Sequence, residues 1–298
     1  MYKLLVCIFF LLKLLRKEGL KNPYKKLKKA TTPSSTMVIF ANGPSLMEDI
    51  DKLNKVCSDK FPDNCSIFAM NNFACHEAYQ IYKPKYYVLS DHVFLKNTPH
   101  AERGKKVLND IAHNTTWPIE LFLPYWAKKS DFYSILKNNK LITIHYFHST
   151  YHIEIGSYRR FIFKNGLGNG EYGSVVLNAE YISMMLDYKN IYLCGVDHTF
   201  FNGLYVNEKN QLCMLEEYFY EKKEIILYNH YTDEKNLQPY SVYEYLKSKT
   251  SIFYGHEVME DFANFCNTKI INVTSKSMID SYERLESHIQ SSQVKFTQ

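Results

Sequence analysis

Short runs of apolar, β-branched and aromatic residues recur at 37–41, 66–70, 86–90, 119–123, 141–146, 190–194 and 269–273, and each predicts a strand. The runs are mostly continuous rather than alternating, which is the pattern of strands covered on both faces. Segments of helical period lie between them. At 44–56, Leu46, Ile50 and Leu53 share one face and Pro44 suits the first turn. At 174–186 apolar residues run nearly all round the helix (Val175, Val176, Leu177, Ala179, Ile182, Met184, Met185), which predicts burial between layers. Strands alternating with helices predict an α/β fold, a Rossmann-like, mostly parallel sheet with helices on both faces. Ligands of such sheets sit beyond the carboxyl ends of the strands, so the residues just after each strand are the candidates for chemistry.

The N-terminus has a different pattern. Leu4 to Leu12 is an unbroken apolar run, extended by Leu14 and Leu15, and shorter than the roughly 20 residues of a spanning helix. Residues 1–29 carry nine Lys and Arg against Glu18 alone, which leaves the remainder of a +5 chain at −3. An apolar run with a polybasic flank predicts a membrane-associating segment at 1–29, held on an anionic surface at the cytoplasmic face of the inner membrane. Two other readings compete with it. A signal peptide would need a small-x-small cleavage site, which does not follow; an ordinary buried N-terminal helix with a basic tail stays open. Residues 30–36 are small, polar and contain a proline, as in a linker. The catalytic domain is then expected at 37–280 and a polar tail at 281–298.

Composition narrows the class further. At 298 residues and 46% hydrophobic, the chain can form one large domain with a small lid. With its basicity confined to the N-terminus, the domain lacks the broad positive excess of a nucleic-acid binder. Seven scattered cysteines without a C-x-x-C pair argue against a disulfide framework and a cysteine zinc site, and for a reducing compartment.

Four loops after predicted strands hold the candidate chemistry. In Asn42-Gly43-Pro44-Ser45-Leu46 a glycine turn enters a helix whose free N–H groups suit a phosphate, although Asn42 would serve equally as a plain cap. Asn71 and Asn72 offer two amides to a base, ribose or sugar, or else build a turn. Gly166 to Ser174 places four glycines before the buried helix, either an anion cradle or a flexible loop. Cys194-Gly195-Val196-Asp197-His198 ends the late strand, and Asn202, Gly203 and Tyr205 follow. The one Asp-x-Asp pattern, Asp49-Ile50-Asp51, lies inside the first helix and is expected on the solvated surface, not on a metal. His148 and His152, four apart, have no third ligand in view.

Asn42-Gly43-Pro44-Ser45-Leu46, Asn71-Asn72-Phe73 and the stretch from Leu186 to Asp197 resemble the bacterial sialyltransferases of glycosyltransferase family 42 and a broader group that shares the N-G-P-S-L opening. The resemblance spans about 37–275, with 92–165 unaligned. It implies a single nucleotide-binding domain of GT-A-like type with a small lid, and metal-independent, inverting transfer of a sialic-acid-like sugar from a CMP donor. The donor would be the co-substrate, with no further cofactor, and the acceptor a cell-surface glycan or glycolipid precursor. By the same resemblance Asn42, Gly43, Ser45, Asn71 and Asn72 would hold the CMP part. Asp91 stands where the family has an Asn, and Gly173-Ser174 only partly matches a Thr-Ser-Gly group near the phosphate. Tyr205 would steady the leaving phosphate, and His230 would be the general base, a task suited to imidazole near neutral pH. Asp197, from its place at a strand end, would orient a bound ligand such as the nucleotide or else cap a turn. Other nucleotide-sugar donors on the same fold, a Mg²⁺- and ATP-dependent pyrophosphokinase of the pterin type, a non-catalytic scaffold and a homo-oligomer remain open.

Overall fold

The computed structural model describes residues 8, 9, 11, 12, 14–16, 19–32, 35–56, 63, 65–91, 101–129, 134–149, 155–218, 221–229 and 238–294. The first half of the chain forms β1 (Thr36–Phe40), α1 (Leu46–Val56), β2 (Ser66–Met70), α2 (Ala78–Tyr82), β3 (Tyr86–Val88), α3 (Ala101–Asn114), β4 (Ile119–Pro124) and β5 (Ile142–Phe147). Then come α4 (Gly156–Lys164), α5 (Val175–Met185), β6 (Asn190–Cys194), β7 (Leu204–Val206), β8 (Leu212–Tyr218), β9 (Glu221–Ile226), β10 (Tyr228–Asn229), β11 (Gln238–Pro239), α6 (Val242–Phe265), β12 (Lys269–Asn272), β13 (Glu283–Arg284) and α7 (Leu285–Val294). All seven strands expected from the sequence are present, with ends shifted by no more than two residues.

Eight strands pair in the order β13-β12-β6-β1-β2-β3-β4-β5, every pair parallel. The chain walks outward from β1 to β5 and returns to β6 on the far side of β1, so the strand order reverses between β1 and β6. Crevices for ligands open at such a reversal, at the carboxyl ends. Side chains of β1 alternate between two cores. Met37 and Ile39 join α4, α5 and α6 on one face, and Val38 and Phe40 join α1, α2, α3 and α7 on the other. This two-sided cover is why the strands read as continuous apolar runs. Helix α5, buried nearly all round as expected, lies between the sheet and α6. Helix α6 starts with a capping box: the Ser241 hydroxyl accepts from the Glu244 N–H at 3.2 Å, and the Glu244 carboxylate accepts from the Ser241 N–H at 3.1 Å.

Described residues on both sides of 37–280 pack into this body. Tyr24 is buried, its ring 6.5 Å from Phe122 and 5.8 Å from Tyr181, and Leu14 joins the same core. The Ala30 N–H donates to the Leu186 carbonyl at 2.8 Å, so the stretch read as a linker lies against the end of α5. The polar tail expected from 281 is ordered as β13 and α7 as far as Val294, because Tyr282 and Leu285 are core residues. Arg284 fixes that corner by donating to the carbonyls of Thr274, Ser277 and Ile279 at 2.7–2.9 Å. Strands β7, β8 and β9 form a separate antiparallel sheet.

Tyr24 tests the attachment of the N-terminal segment. Among the described residues its buried hydroxyl has no hydrogen-bond partner. Tyr24→Ala is expected to cost about 3 kcal/mol by emptying an aromatic site, whereas Tyr24→Phe keeps or raises stability because it removes an unpaired polar group. Urea titration of the full chain reads both; an unchanged midpoint for Tyr24→Ala would detach the segment from the core.

Candidate functional site

An open cleft of about 1230 Å³ lies along the carboxyl ends of the sheet. Asn42 and Gly43 after β1, Asn71 after β2, Ser90 and Asp91 after β3, and Gly195, Asp197 and His198 after β6 line it. The loop from Glu171 to Ser174, the first residues of α5, Lys249 and Ile252 of α6, Met214 and Leu215 of β8, and Ser149 after β5 are also part of the wall.

Beneath the cleft lies a buried carboxylate. Asp49 in the first turn of α1 is wholly buried, and its Oδ2 accepts from the Gly195 N–H at 2.8 Å, the Thr274 hydroxyl at 2.5 Å and the Ser45 hydroxyl at 3.1 Å. This corrects the surface position expected for Asp49. It shares its helical face with Ile50 and Leu53, and that face packs on the ends of β6 and β12; Asp51 is the exposed member of the pair. A carboxylate in the first turn also meets the positive end of the helix dipole.

The loop after β1 clasps the end of β6. The Gly43 N–H donates to the Gly195 carbonyl at 2.9 Å, and a Cβ at position 43 would overlap that carbonyl and the Asp197 carboxylate. The glycine is required by this contact between strand ends. Asn42 donates from Nδ2 to the Met70 carbonyl at 3.1 Å, joining the ends of β1 and β2. Ser45 lies behind the wall, with its hydroxyl 3.1 Å from Asp49 and 2.9 Å from Asp197. One hydroxyl proton therefore serves two carboxylates. Burial first, and Asp49 nearby, raise the pKa of Asp197 above the usual carboxylate range, against the lowering effect of Ser45.

Asn71 adopts a left-handed backbone (φ 48°), which asparagine tolerates better than most residues. Among the described residues the buried Oδ1 atoms of Asn71 and Asn72 have no hydrogen-bond partner; Asn71 lines the cleft and Asn72 sits one step behind it. Asp91 is exposed at the rim. Gly173 (φ 84°) turns the chain into α5, where Ser174 occupies the cap position with no side-chain bond to the helix. The N-terminus of α5 thus opens on the cleft. Tyr205 on β7 is 38% exposed and not part of the wall, and His230 and His152 lie outside the described residues. His148 is buried, stacked on Tyr125 at 4.6 Å, with Nε2 3.1 Å from the Lys21 carbonyl.

The structure adds residues that sequence reasoning passed over. Lys249 is the one Lys or Arg among the described residues of the wall, which also carries Asp91, Glu171 and Asp197. Its ammonium stands 4.5 Å from the Phe200 ring centroid and 5.1 Å from that of Tyr245, and burial lowers its pKa. Beside it, burial, then His256 and Lys249, push the His198 imidazole down to about 3, so it is neutral near pH 7. Behind His198, at 5.0 Å between ring centroids, His256 is wholly buried. Its Nδ1 is 2.9 Å from the Tyr282 hydroxyl, which donates to buried Glu180 at 2.7 Å. Helical spacing of Tyr245, Lys249 and Ile252 was the available signal for Lys249; nothing in the sequence pairs Glu180 with His256.

No family model matches the chain, and no curated protein matches it. Among solved structures it is similar to the MAf glycosyltransferase from Magnetospirillum magneticum AMB-1, at 14% identity and a TM-score of 0.46. The match covers 93% of this chain and 39% of that one, so the chain spans about two-fifths of that protein's length. At this distance the likeness carries no functional weight, and the cleft has to be read from its own groups.

Asp197 gives a signed prediction. Between the unfolded carboxylate pKa and the raised folded value the native state holds more protons, so stability falls as pH rises through that window and stays lowered at pH 7. Asp197→Asn is expected to melt at a higher temperature than the wild type at pH 7 and to converge with it below the usual aspartate pKa. A lower melting temperature at pH 7 would contradict a carboxyl group at Asp197 that burial holds above its ordinary pKa.

Proposed function

We propose that the chain is a glycosyltransferase that takes a nucleotide-linked sugar in this cleft, with a CMP-linked, sialic-acid-like donor as the first candidate. The observation that carries the reading is that Lys249 and the N-terminus of α5 line the same cleft, at the carboxyl ends of the sheet where the strand order reverses, with Ile252, one turn after Lys249 on α6, next to Gly173. Lys249 has no carboxylate partner among the described residues, and free N–H groups of a helix N-terminus favour a phosphate.

In this reading Asn42 and Asn71 face the nucleoside, where the unpartnered Asn71 Oδ1 is an acceptor in search of a donor such as an exocyclic amine. Gly43, Ser45 and Asp49 hold that wall in place. Lys249, Ser174 and the α5 N–H groups take the phosphate and stabilise the negative charge that develops as the glycosidic bond to it breaks. The counter-charge comes from Lys249, so no divalent metal is required for the step. The acceptor is a hydroxyl of a surface glycan or glycolipid precursor. His230, by the resemblance, takes its proton as it attacks the anomeric carbon from the face opposite the phosphate, which inverts the configuration. His198, Asp91 and Asp197, which line the cleft, orient the sugar in this reading.

Calorimetric titration of the full chain with CMP, UDP, GDP and ATP, in EDTA and with Mg²⁺, tests the reading. CMP binding in EDTA is expected, and Lys249→Ala should weaken it roughly tenfold to a hundredfold, the loss of one charge-assisted contact. The weakening should also appear in the wild type as pH rises through the lowered Lys249 pKa, earlier than for an ordinary lysine. Binding of UDP or GDP alone would change the donor and keep the transferase; ATP binding only with Mg²⁺ would replace it with pyrophosphoryl chemistry. With a donor in hand, His230→Asn is expected to abolish transfer while nucleotide affinity stays within about threefold of wild type. Full activity in that variant would remove His230 as the base.

A further inference from the structure

The N-terminal segment is helical at each described position from 8 to 16, and it has two unlike faces. Leu11 and Leu14, three apart, turn inward against the core. Ile8, Phe9, Leu12 and Leu15 turn outward and are 47%, 70%, 54% and 53% exposed. Their spacing puts them on one side of the helix. A helix that had merely packed on the body would keep its large apolar side chains inward and its charges outward. This one does both at once, burying Leu14 and presenting a row of larger apolar groups outward.

Among the described residues from 8 to 28 every charged side chain is positive. Arg16, Lys21, Lys25, Lys26 and Lys28 are exposed, whereas the ion pair in this stretch, Lys29 with Asp187 at 3.6 Å, lies at its far end. A second copy of the chain docking face to face would bring two positive surfaces together. An acidic protein partner would satisfy the charge but not a flat apolar row, and a nucleic acid would leave Phe9 and Leu12 in water. An anionic lipid surface satisfies both, with the apolar side chains below the headgroups and the lysines among them. Among the described residues no helix is long and apolar enough to cross a membrane.

We propose that this face seats the protein on an anionic bilayer. The seat is built into the fold and does not hang from it. Tyr24 stacks on Phe122 of β4 and packs at the loop where Gly166 turns, and the Lys21 carbonyl bonds His148, which precedes the cleft residue Ser149. A bound protein therefore holds its cleft at a set angle to the membrane. The inference is independent of which donor the cleft takes.

Co-sedimentation of the full chain with phosphatidylcholine vesicles, with and without phosphatidylglycerol, is the test. The wild type is expected on the phosphatidylglycerol vesicles and to leave them in high salt. Phe9→Glu with Leu12→Glu should lower binding by about tenfold or more, and Lys25→Glu with Lys26→Glu should weaken it to a similar degree. Both pairs are exposed, so an unchanged urea midpoint is expected to accompany the loss. No binding by the wild type, equal binding to neutral vesicles, or full binding by Phe9→Glu with Leu12→Glu would overturn the proposal. So would a dimer in sedimentation equilibrium that this variant abolishes, which would give the face to a second copy.

Discussion

A single buried carboxylate holds the functional end of the sheet together. Asp49 accepts from the Gly195 backbone at the end of β6, from Thr274 after β12 and from Ser45 before α1, so three loops from distant parts of the sequence meet on one oxygen. Removing a buried acceptor with several donors leaves each donor unpaired, at a cost of about 1–3 kcal/mol per group. Gly43 can then lie directly on Gly195, and the loop after β1 and the loop after β6 form a continuous wall at the reversal of strand order. The cleft exists where it does because this corner is closed.

The same corner carries the main electrostatic tension of the site. Asp197 is close enough to Asp49 to share the Ser45 hydroxyl, and it is held partly desolvated at the cleft edge. Lys249, also in the wall, is a desolvated cation over two aromatic rings, and His198 is kept neutral beside it. Opposite charges in the wall of one open cleft, each displaced from its ordinary pKa, are an arrangement suited to a ligand that has an anionic part and a polar part. A nucleotide sugar has both. The buried chain Glu180–Tyr282–His256 stiffens the side on which His198 stands, and ties α5, α6 and the end of the chain into that wall.

Much of this could be read from residue patterns. Continuous apolar runs gave all seven long-range strands, because burial on both faces leaves an unmistakable composition; all-round hydrophobicity identified α5, and Ser241 with Glu244 carries the signature of the cap on α6. Asn42, Gly43, Asn71, Asp91, Gly173, Ser174 and Asp197 do line or border the cleft, since the rule that places ligands at strand ends needs only the order of elements. What stayed hidden depends on contacts far apart in sequence. Asp49 looks like a surface residue until Gly195 and Thr274 are brought to it, and Tyr24 looks like part of a basic tail until Phe122 and Tyr181 are in place. The short strands β7 and β13 have too few residues to show a period, and Tyr205, a candidate through the family resemblance alone, lies on β7 outside the wall of the cleft.

The central claim is that the corner of Lys249 and α5 receives the phosphate of a nucleotide. A crystal structure of the full chain with CMP bound tests it most directly. The account predicts the phosphate within hydrogen-bond distance of Lys249 Nζ and the first N–H groups of α5, with the base toward Asn42 and Asn71. A nucleotide bound elsewhere, or one whose phosphate is held through Mg²⁺ against Asp91 and Glu171 with Lys249 apart from it, would contradict it.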